Sequence, residues 1–249
     1  MVPTPVCWIC KVRPADTAEH RFKASDVRSK TPTITQQEPA YLQRNGEATN
    51  TPIGSARSKA LTFAPSICAQ CNNVGTQPYD VAWETLSTYL HARWPHILRR
   101  GRFDLSKPFP GGTRSAALRV HLFFLKLFGC KINEEKAAID LSAFSGALLT
   151  GTAHPEIILQ IANCCVGRNQ YVAYETELYT MREKSTGDLH GATWGYLIHP
   201  VAVKVSYIKA GAALHAPGWE WHPSNPSKIV KLSPYWGTTE PTAGPKALG

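Results

Sequence analysis

The chain has 249 residues, 43% of them hydrophobic, so it can bury a real core as one large domain or two ordinary ones. Its formal net charge of +9 exceeds what solubility requires and is scattered along the chain, which points to a polyanionic partner or to a merely basic surface. The longest apolar stretch, LRVHLFFLKLFGC, holds Arg119, His121 and Lys126 and is too short to span a bilayer, and MVPTPVCWIC lacks the basic start and apolar run of a secretory signal; a membrane protein is excluded and a cytoplasmic one expected.

The first twenty residues are turn-rich and carry the pair CWIC. From about residue 23 to 58 the chain is rich in Thr, Pro, Gln, Ser and Asn and poor in large apolar residues, which predicts an extended loop or insertion. SKALTF (58–63) reads as a short strand and CAQCNN (68–73) as a knuckle. Tyr79, Ala82, Trp83, Leu86 and Leu90 then recur at helical spacing, with Pro78 near the first turn, so an amphipathic helix follows the knuckle directly.

The basic, Pro- and Gly-containing run RWPHILRRGRFDLSKPFPGGTR separates this unit from a second one. Helices are predicted at 115–129, 134–149 and 155–166. From residue 170 the period changes to two, making YVAYETELYTM, GATWGYLIH and VAVKVSYIKA strands of an antiparallel sheet. The expected organisation is α+β: a zinc-binding domain over 1–95 with a polar insertion at 23–58, a helical and β domain over 96–236, and a disordered tail over 237–249.

Seven cysteines, four of them in CxxC pairs, indicate a reducing compartment and thiolate ligands rather than disulfides. Cys7, Cys10, Cys68 and Cys71 supply the four soft ligands of a tetrahedral structural zinc, and the polar stretch between the pairs loops out at modest entropic cost. Cys130, Cys164 and Cys165 lack ligand spacing and read as buried small hydrophobes; His121 and His154 read as packed or surface residues.

Between the two pairs stands Glu19-His20, and Asn72 follows Cys71 at once. This order resembles the HNH, or ββα-metal, nuclease superfamily, in particular the zinc-stapled phage recombination endonucleases; EHRFKASD and TQPYDVAWE also resemble stretches of unassigned bacterial HNH-type proteins. The resemblance covers residues 7 to about 92 and implies a treble-clef-like ββα-metal fold. Within it Cys7, Cys10, Cys68 and Cys71 match the zinc ligands. It further implies that Glu19 and Asn72 hold a catalytic magnesium or manganese ion while His20 activates water. The middle Asn of the motif falls to Asn45 or Asn50, Asn73 is the alternative to Asn72, and Asp80 or Glu84 are candidates for a further ligand.

The residue types suit that chemistry independently. Phosphodiester hydrolysis needs a deprotonated water, a Lewis acid on the scissile phosphate and leaving oxygen, and a donor or metal against the developing charge. A neutral imidazole is a natural base for that water, and carboxylate and amide oxygens are hard donors for a divalent ion. Side chains of adjacent strand residues point to opposite faces, so Glu19 and His20 serve one site only at a strand end or bend.

Arg21, Lys23, Arg28, Lys30, Arg57 and Lys59 surround this region, and Arg93, Arg99, Arg100 and Arg102 lie further on; such cations pair with nucleic-acid phosphates. Phe22, Trp94 and Phe103 are candidates for base stacking or for ordinary core, with core favoured for the latter two. The expectation is an HNH-type endonuclease acting on nucleic acid, DNA foremost. The rival is a non-catalytic zinc-stabilised nucleic-acid-binding or adaptor protein, and an RNA-directed nuclease is a third reading. The C-terminal domain, with the aromatic cluster WEWHP, offers a surface for substrate choice, dimerisation or a protein partner.

Overall fold

The computed structural model describes residues 5–31, 33–42, 51–164, 173–210 and 219–236. Asn45, Asn50, Cys165 and the tail over 237–249 lie outside the described residues.

The N-terminal part is built on two short extended segments that pair antiparallel. Thr17 bridges Ile67 and His20 bridges Thr62, and backbone bonds run from Arg21 N to Leu61 O and from Phe63 N to Glu19 O. SKALTF contributes to this pairing only through its last residues, because Lys59–Leu61 forms a single 3-10 turn. A knuckle lies beside each segment: residues 7–10 close on Lys11, which takes a left-handed φ of 56°, and residues 68–71 lead into a π-helical turn over Gln70–Gly75.

The polar stretch after residue 22 is not simply an extended loop. It contains helix α1 (Ala24–Lys30) and the strands β1 (Ala40–Leu42) and β2 (Thr51–Ile53), paired antiparallel. One buried carboxylate anchors α1. Asp26 accepts from Trp83 Nε1 at 2.8 Å, Ser87 Oγ at 2.6 Å and the Tyr196 hydroxyl at 2.6 Å, and that hydroxyl in turn accepts from Lys23 N. A desolvated carboxylate is tolerated only when its lone pairs are met in this way.

Helix α2 (Gln77–Arg100) follows the π-helical turn, with Pro78 where a missing N–H costs nothing, and ends on Gly101 in the left-handed region at φ 61°. The apolar positions expected to face the core are buried. The expected domain boundary at 95/96 therefore falls inside a helix. Strand β3 (Arg102–Asp104) is followed by α3 (Thr113–Glu134), in which every residue from Val120 to Ile132 is buried, and α4 (Ser142–Thr150).

The remaining chain forms β4 (Ile157–Cys164), β5 (Ala173–Glu175), β6 (Tyr179–Arg182), β7 (Leu189–Ile198), β8 (Val201–Ile208) and β9 (Ile229–Trp236). They order as β3-β9-β4-β8-β7-β5, with β6 also against β7. The sheet is mixed, since β4 and β9 run parallel while the other pairs are antiparallel. Two expectations are corrected here. The sheet is not purely antiparallel, and residues 157–164 are a strand rather than a helix, because Ile157, Leu159 and Ile161 alternate inward between two hydrogen-bonded neighbours.

One continuous apolar core runs from Cys7 to Leu232 across both expected domains. At its centre Trp83 of α2 stacks on Phe123 of α3 at 5.7 Å and meets Tyr196 of β7 edge-on at the same distance. Helix α3 is buried almost throughout because α2 covers it from one side and the sheet supplies aromatic partners from another, Trp194 stacking on Phe128. No helix among the described residues is long and apolar enough to cross a membrane.

Candidate metal centre and the adjoining cleft

The Sγ atoms of Cys7, Cys10, Cys68 and Cys71 all lie within 4.8 Å of one another, and Cys10 and Cys68 are 3.8 Å apart. A tetrahedron of sulfurs about 2.3 Å from a zinc ion has edges of about 3.8 Å, so the four thiols fit such a metal. The cage is also electrostatically prepared. Burial pushes Cys10 up, but backbone hydrogen bonds from Arg13 and Val12 and the neighbouring thiols Cys7 and Cys68 bring it down to about 6, whereas burial holds Cys7 and Cys71 above the ordinary thiol range. Those two are deprotonated only with a cation beside them, which couples metal binding to proton release. Cys130 and Cys164 are buried apart from this group as expected, with burial raising the Cys130 thiol to about 12. His121 and His154 are packed inside the protein.

Next to the cage a cleft of about 720 Å³ opens between the segment 17–28, Arg57, the π-helical turn and the start of α2. Glu19, His20, Asn72, Asn73, Asp80 and Glu84 line it together with the cations Lys23, Arg28 and Arg57. Glu19 and His20, and Asn72 distant from them in sequence, are thus brought to the lining of one cleft. The side-chain amide of Asn72 donates weakly to Thr17 Oγ1 at 3.4 Å and to Ala18 O at 3.5 Å, which ties the π-helical turn to the segment carrying His20.

His20 is half-buried, and its Nε2 is enclosed without a hydrogen-bond partner among the described residues. No hydrogen bond among the described residues ties this nitrogen to the fold, and as the ring stands it is also closed to solvent. Burial, then the positive charges of Lys23, Arg57 and Lys126, lower its pKa, with Asp80 opposing. The imidazole is therefore neutral at pH 7.

Glu19 sits differently. It is 7% exposed, and its Oε2 lies 2.9 Å from Nζ of Lys126, a residue with no exposed surface at all. The same ammonium donates to both oxygens of Asp80, at 3.2 and 3.1 Å, and Lys23 Nζ lies 3.4 Å from Asp80 Oδ1. Burial opposes the charge on Lys126, but Glu19 and Asp80 outweigh it and raise its pKa, so the ammonium stays protonated. A divalent ion held by Glu19 and Asp80 does not fit this donor set, and one held by the expected pair Glu19 and Asn72 would take from Lys126 one of its two acids. Two carboxylates are already matched by two ammonium groups, and an ion taking both would leave Lys126 as an unpaired buried charge.

Of the expected phosphate contacts, Lys23 lines the cleft and Lys59 is exposed outside it. Arg21 is corrected: it is 6% exposed, donates to both oxygens of Glu134 and pairs with Glu175, so it staples the segment to α3 and β5 and is closed to a ligand. Phe22 is buried in the core and is corrected as a stacking candidate, whereas Trp94 and Phe103 are core residues, the reading favoured for them. Lys126 was not anticipated. Its only sequence signal is a lysine in the middle of an unbroken apolar helix, where a buried ammonium demands acidic partners that local sequence does not reveal.

A comparison of this chain with protein-family models, with curated proteins and with solved structures finds no match.

Proposed function

We propose that the chain is a zinc-stapled nuclease of the ββα-metal kind, in which the paired segments 17–21 and 61–67 and helix α2 form the ββα unit and the cleft is the phosphodiester site. The observation that carries this reading is His20: a neutral imidazole, with one ring nitrogen uncommitted to the fold, in a cleft that also holds Asn72 and three cations. Lys23, Arg28 and Arg57 hold the phosphate of a nucleic acid, DNA foremost, and offset charge developing on its oxygens. Once a turn of its ring brings a nitrogen to the cleft, His20 takes a proton from water, the water oxygen bonds to phosphorus, and the phosphorus–oxygen bond to the sugar breaks, its oxygen taking a proton from solvent. Asn72 positions the segment bearing His20 through its contacts with Thr17 and Ala18.

The second reading, a zinc-stabilised nucleic-acid binder without chemistry, rests on the engagement of Glu19 by Lys126. Cleavage of a supercoiled plasmid and of a single-stranded oligonucleotide by the zinc-loaded protein, beside a His20→Ala variant that keeps its zinc, separates the two. Nicking lost in the variant supports the nuclease; salt-sensitive binding without nicking by either protein supports the binder.

A further inference from the structure

We infer that the ammonium of Lys126, buried behind the wall of the cleft, is the resident cation of Glu19 and Asp80, standing between them where a divalent ion would otherwise be held, and that the cleft engages a phosphate group without such an ion. The first half stands on geometry alone; the second rests on the cleft being the phosphodiester site.

Three oxygens of two carboxylates surround Nζ at 2.9, 3.1 and 3.2 Å. Charged donors and acceptors at such distances, out of water, hold one another far more firmly than a surface pair does. Lys126 has nowhere else to place its charge. It lies in the run Val120–Ile132 of α3, buried throughout, with the Phe123 ring 5.9 Å from its Nζ. A divalent ion binding Glu19 and Asp80 would have to leave this ammonium unpaired in the core or expel its proton, and either event opposes binding.

The charges near the cleft agree. Against Glu19 and Asp80 stand Lys126 and Lys23, so the pair of acids has no surplus negative charge, while Arg28 and Arg57 on the rim exceed the one remaining acid, Glu84. Cation sites are made by surplus negative charge and anion sites by surplus positive charge. Here the surplus is positive. Lys126 does not itself line the cleft and so acts as a positioning residue: it fixes the two carboxylates and adds its field to the depressed basicity of His20.

The test is direct binding of manganese(II), read by the loss of the free-ion EPR signal. It uses the full-length zinc-loaded protein, freed of loosely held divalent ions on a chelating resin. Wild type, Glu19→Gln, Asp80→Asn and Lys126→Met are titrated in parallel. The expected result is no uptake by wild type that depends on Glu19 or Asp80, and an affinity at least about tenfold higher in Lys126→Met, where both acids are left without their ammonium. One equivalent of manganese bound by wild type and lost in Glu19→Gln or Asp80→Asn overturns the inference, as does a folded Lys126→Met protein that binds none. If Lys126→Met fails to fold, the comparison of wild type with Glu19→Gln and Asp80→Asn still decides. Plasmid cleavage is followed in the same samples. Nicking by wild type without added divalent ion, dependent on His20, is the expected result; nicking only after manganese is added overturns the metal-free half. No nicking under any condition refutes the nuclease reading and leaves the resident cation to be decided by EPR.

Discussion

Replacing Gly129 with alanine sets two effects of opposite sign against each other. In the middle of a helix alanine is favoured over glycine by about 1 kcal/mol, so an unhindered site would be stabilised. Gly129 is hindered. A Cβ there would sit 2.5 Å from Cζ2 of Trp8 and closer still to Cη2, well inside van der Waals contact with a rigid indole. Trp8 is 6% exposed and lies between the ligand candidates Cys7 and Cys10, so it cannot swing away without moving the knuckle. Overpacking of this kind costs about 1–3 kcal/mol. A contact this short against a ring held in the knuckle falls in the upper part of that range, about 2–3 kcal/mol, so the net loss of about 1–2 kcal/mol corresponds to a Tm lowered by about 2–8 °C in a chain of this size. Thermal unfolding by circular dichroism measures it, and zinc transfer to a chromophoric chelator should quicken in parallel. Trp8→Leu placed in the same background should recover part of the loss, as coupled neighbours do. A Gly129→Ala protein with unchanged or raised Tm would refute the packing of α3 against the knuckle.

Stripping the metal with a strong chelator should unfold the N-terminal segments, because their pairing and both knuckles converge on the four thiols; tryptophan fluorescence, to which Trp8 contributes, and zinc content should change together, and restoring zinc should restore both. Arg21→Met should cost about 3 kcal/mol in chemical denaturation, since it removes the guanidinium that Glu134 and Glu175 share and leaves Glu175 only the more distant Lys131, whereas an exposed control such as Lys59→Met should cost almost nothing. Arg28→Ala and Arg57→Ala should each weaken DNA binding across sequences and shallow the logarithmic salt slope by about one, read by fluorescence anisotropy at several salt concentrations. Cleavage should depend on pH with a fixed sign. The folded pKa of His20 is depressed below 6.5, so the neutral base persists at pH 7 and above, and nicking should fall only as pH drops below about 6.5. A loss of activity on raising the pH from 7 to 8 would contradict His20 as the base.

The parts of this fold that could be read in advance are those in which local pattern and tertiary role coincide. The two CxxC pairs converge because paired thiols have one common use, and α2, α3, β7 and β8 appear where their periodicity places them. Residues 157–164 defeat the pattern because an eight-residue apolar run suits a buried helix turn or a central strand equally, and only pairing to β8 and β9 decides. Strands β3 and β9 carry Arg102, Asp104, Lys231 and Pro234, which mask the alternation; β3 is fixed by pairing with β9, and β9 by pairing with β3 on one side and β4 on the other. The domain boundary was illegible for a related reason. A Pro- and Gly-containing basic run looks like a linker, yet Trp94 and Ile97 are buried, and α2 continues through Pro95 to Arg100.

At the cleft, the order of Glu19, His20 and Asn72 was legible and their convergence followed from it. What local sequence could not carry was long-range electrostatics. Arg21 looks like a surface cation until Glu134 and Glu175 arrive from distant elements, and Glu19 looks like a metal ligand until Lys126 reaches it from α3. Such pairings are set by which helices pack together, and that in turn depends on the aromatic core around Trp83 and Tyr196.

The most direct test is nicking of supercoiled plasmid by the purified zinc-loaded chain beside His20→Ala, each shown by thermal unfolding and metal content to be folded and loaded. Nicking by wild type with a loss of at least about a hundredfold in the variant is the predicted result, the scale on which a positioned general base acts. Equal nicking by both proteins, or none by either, would contradict the assignment of His20 as the base of a phosphodiester-cleaving cleft.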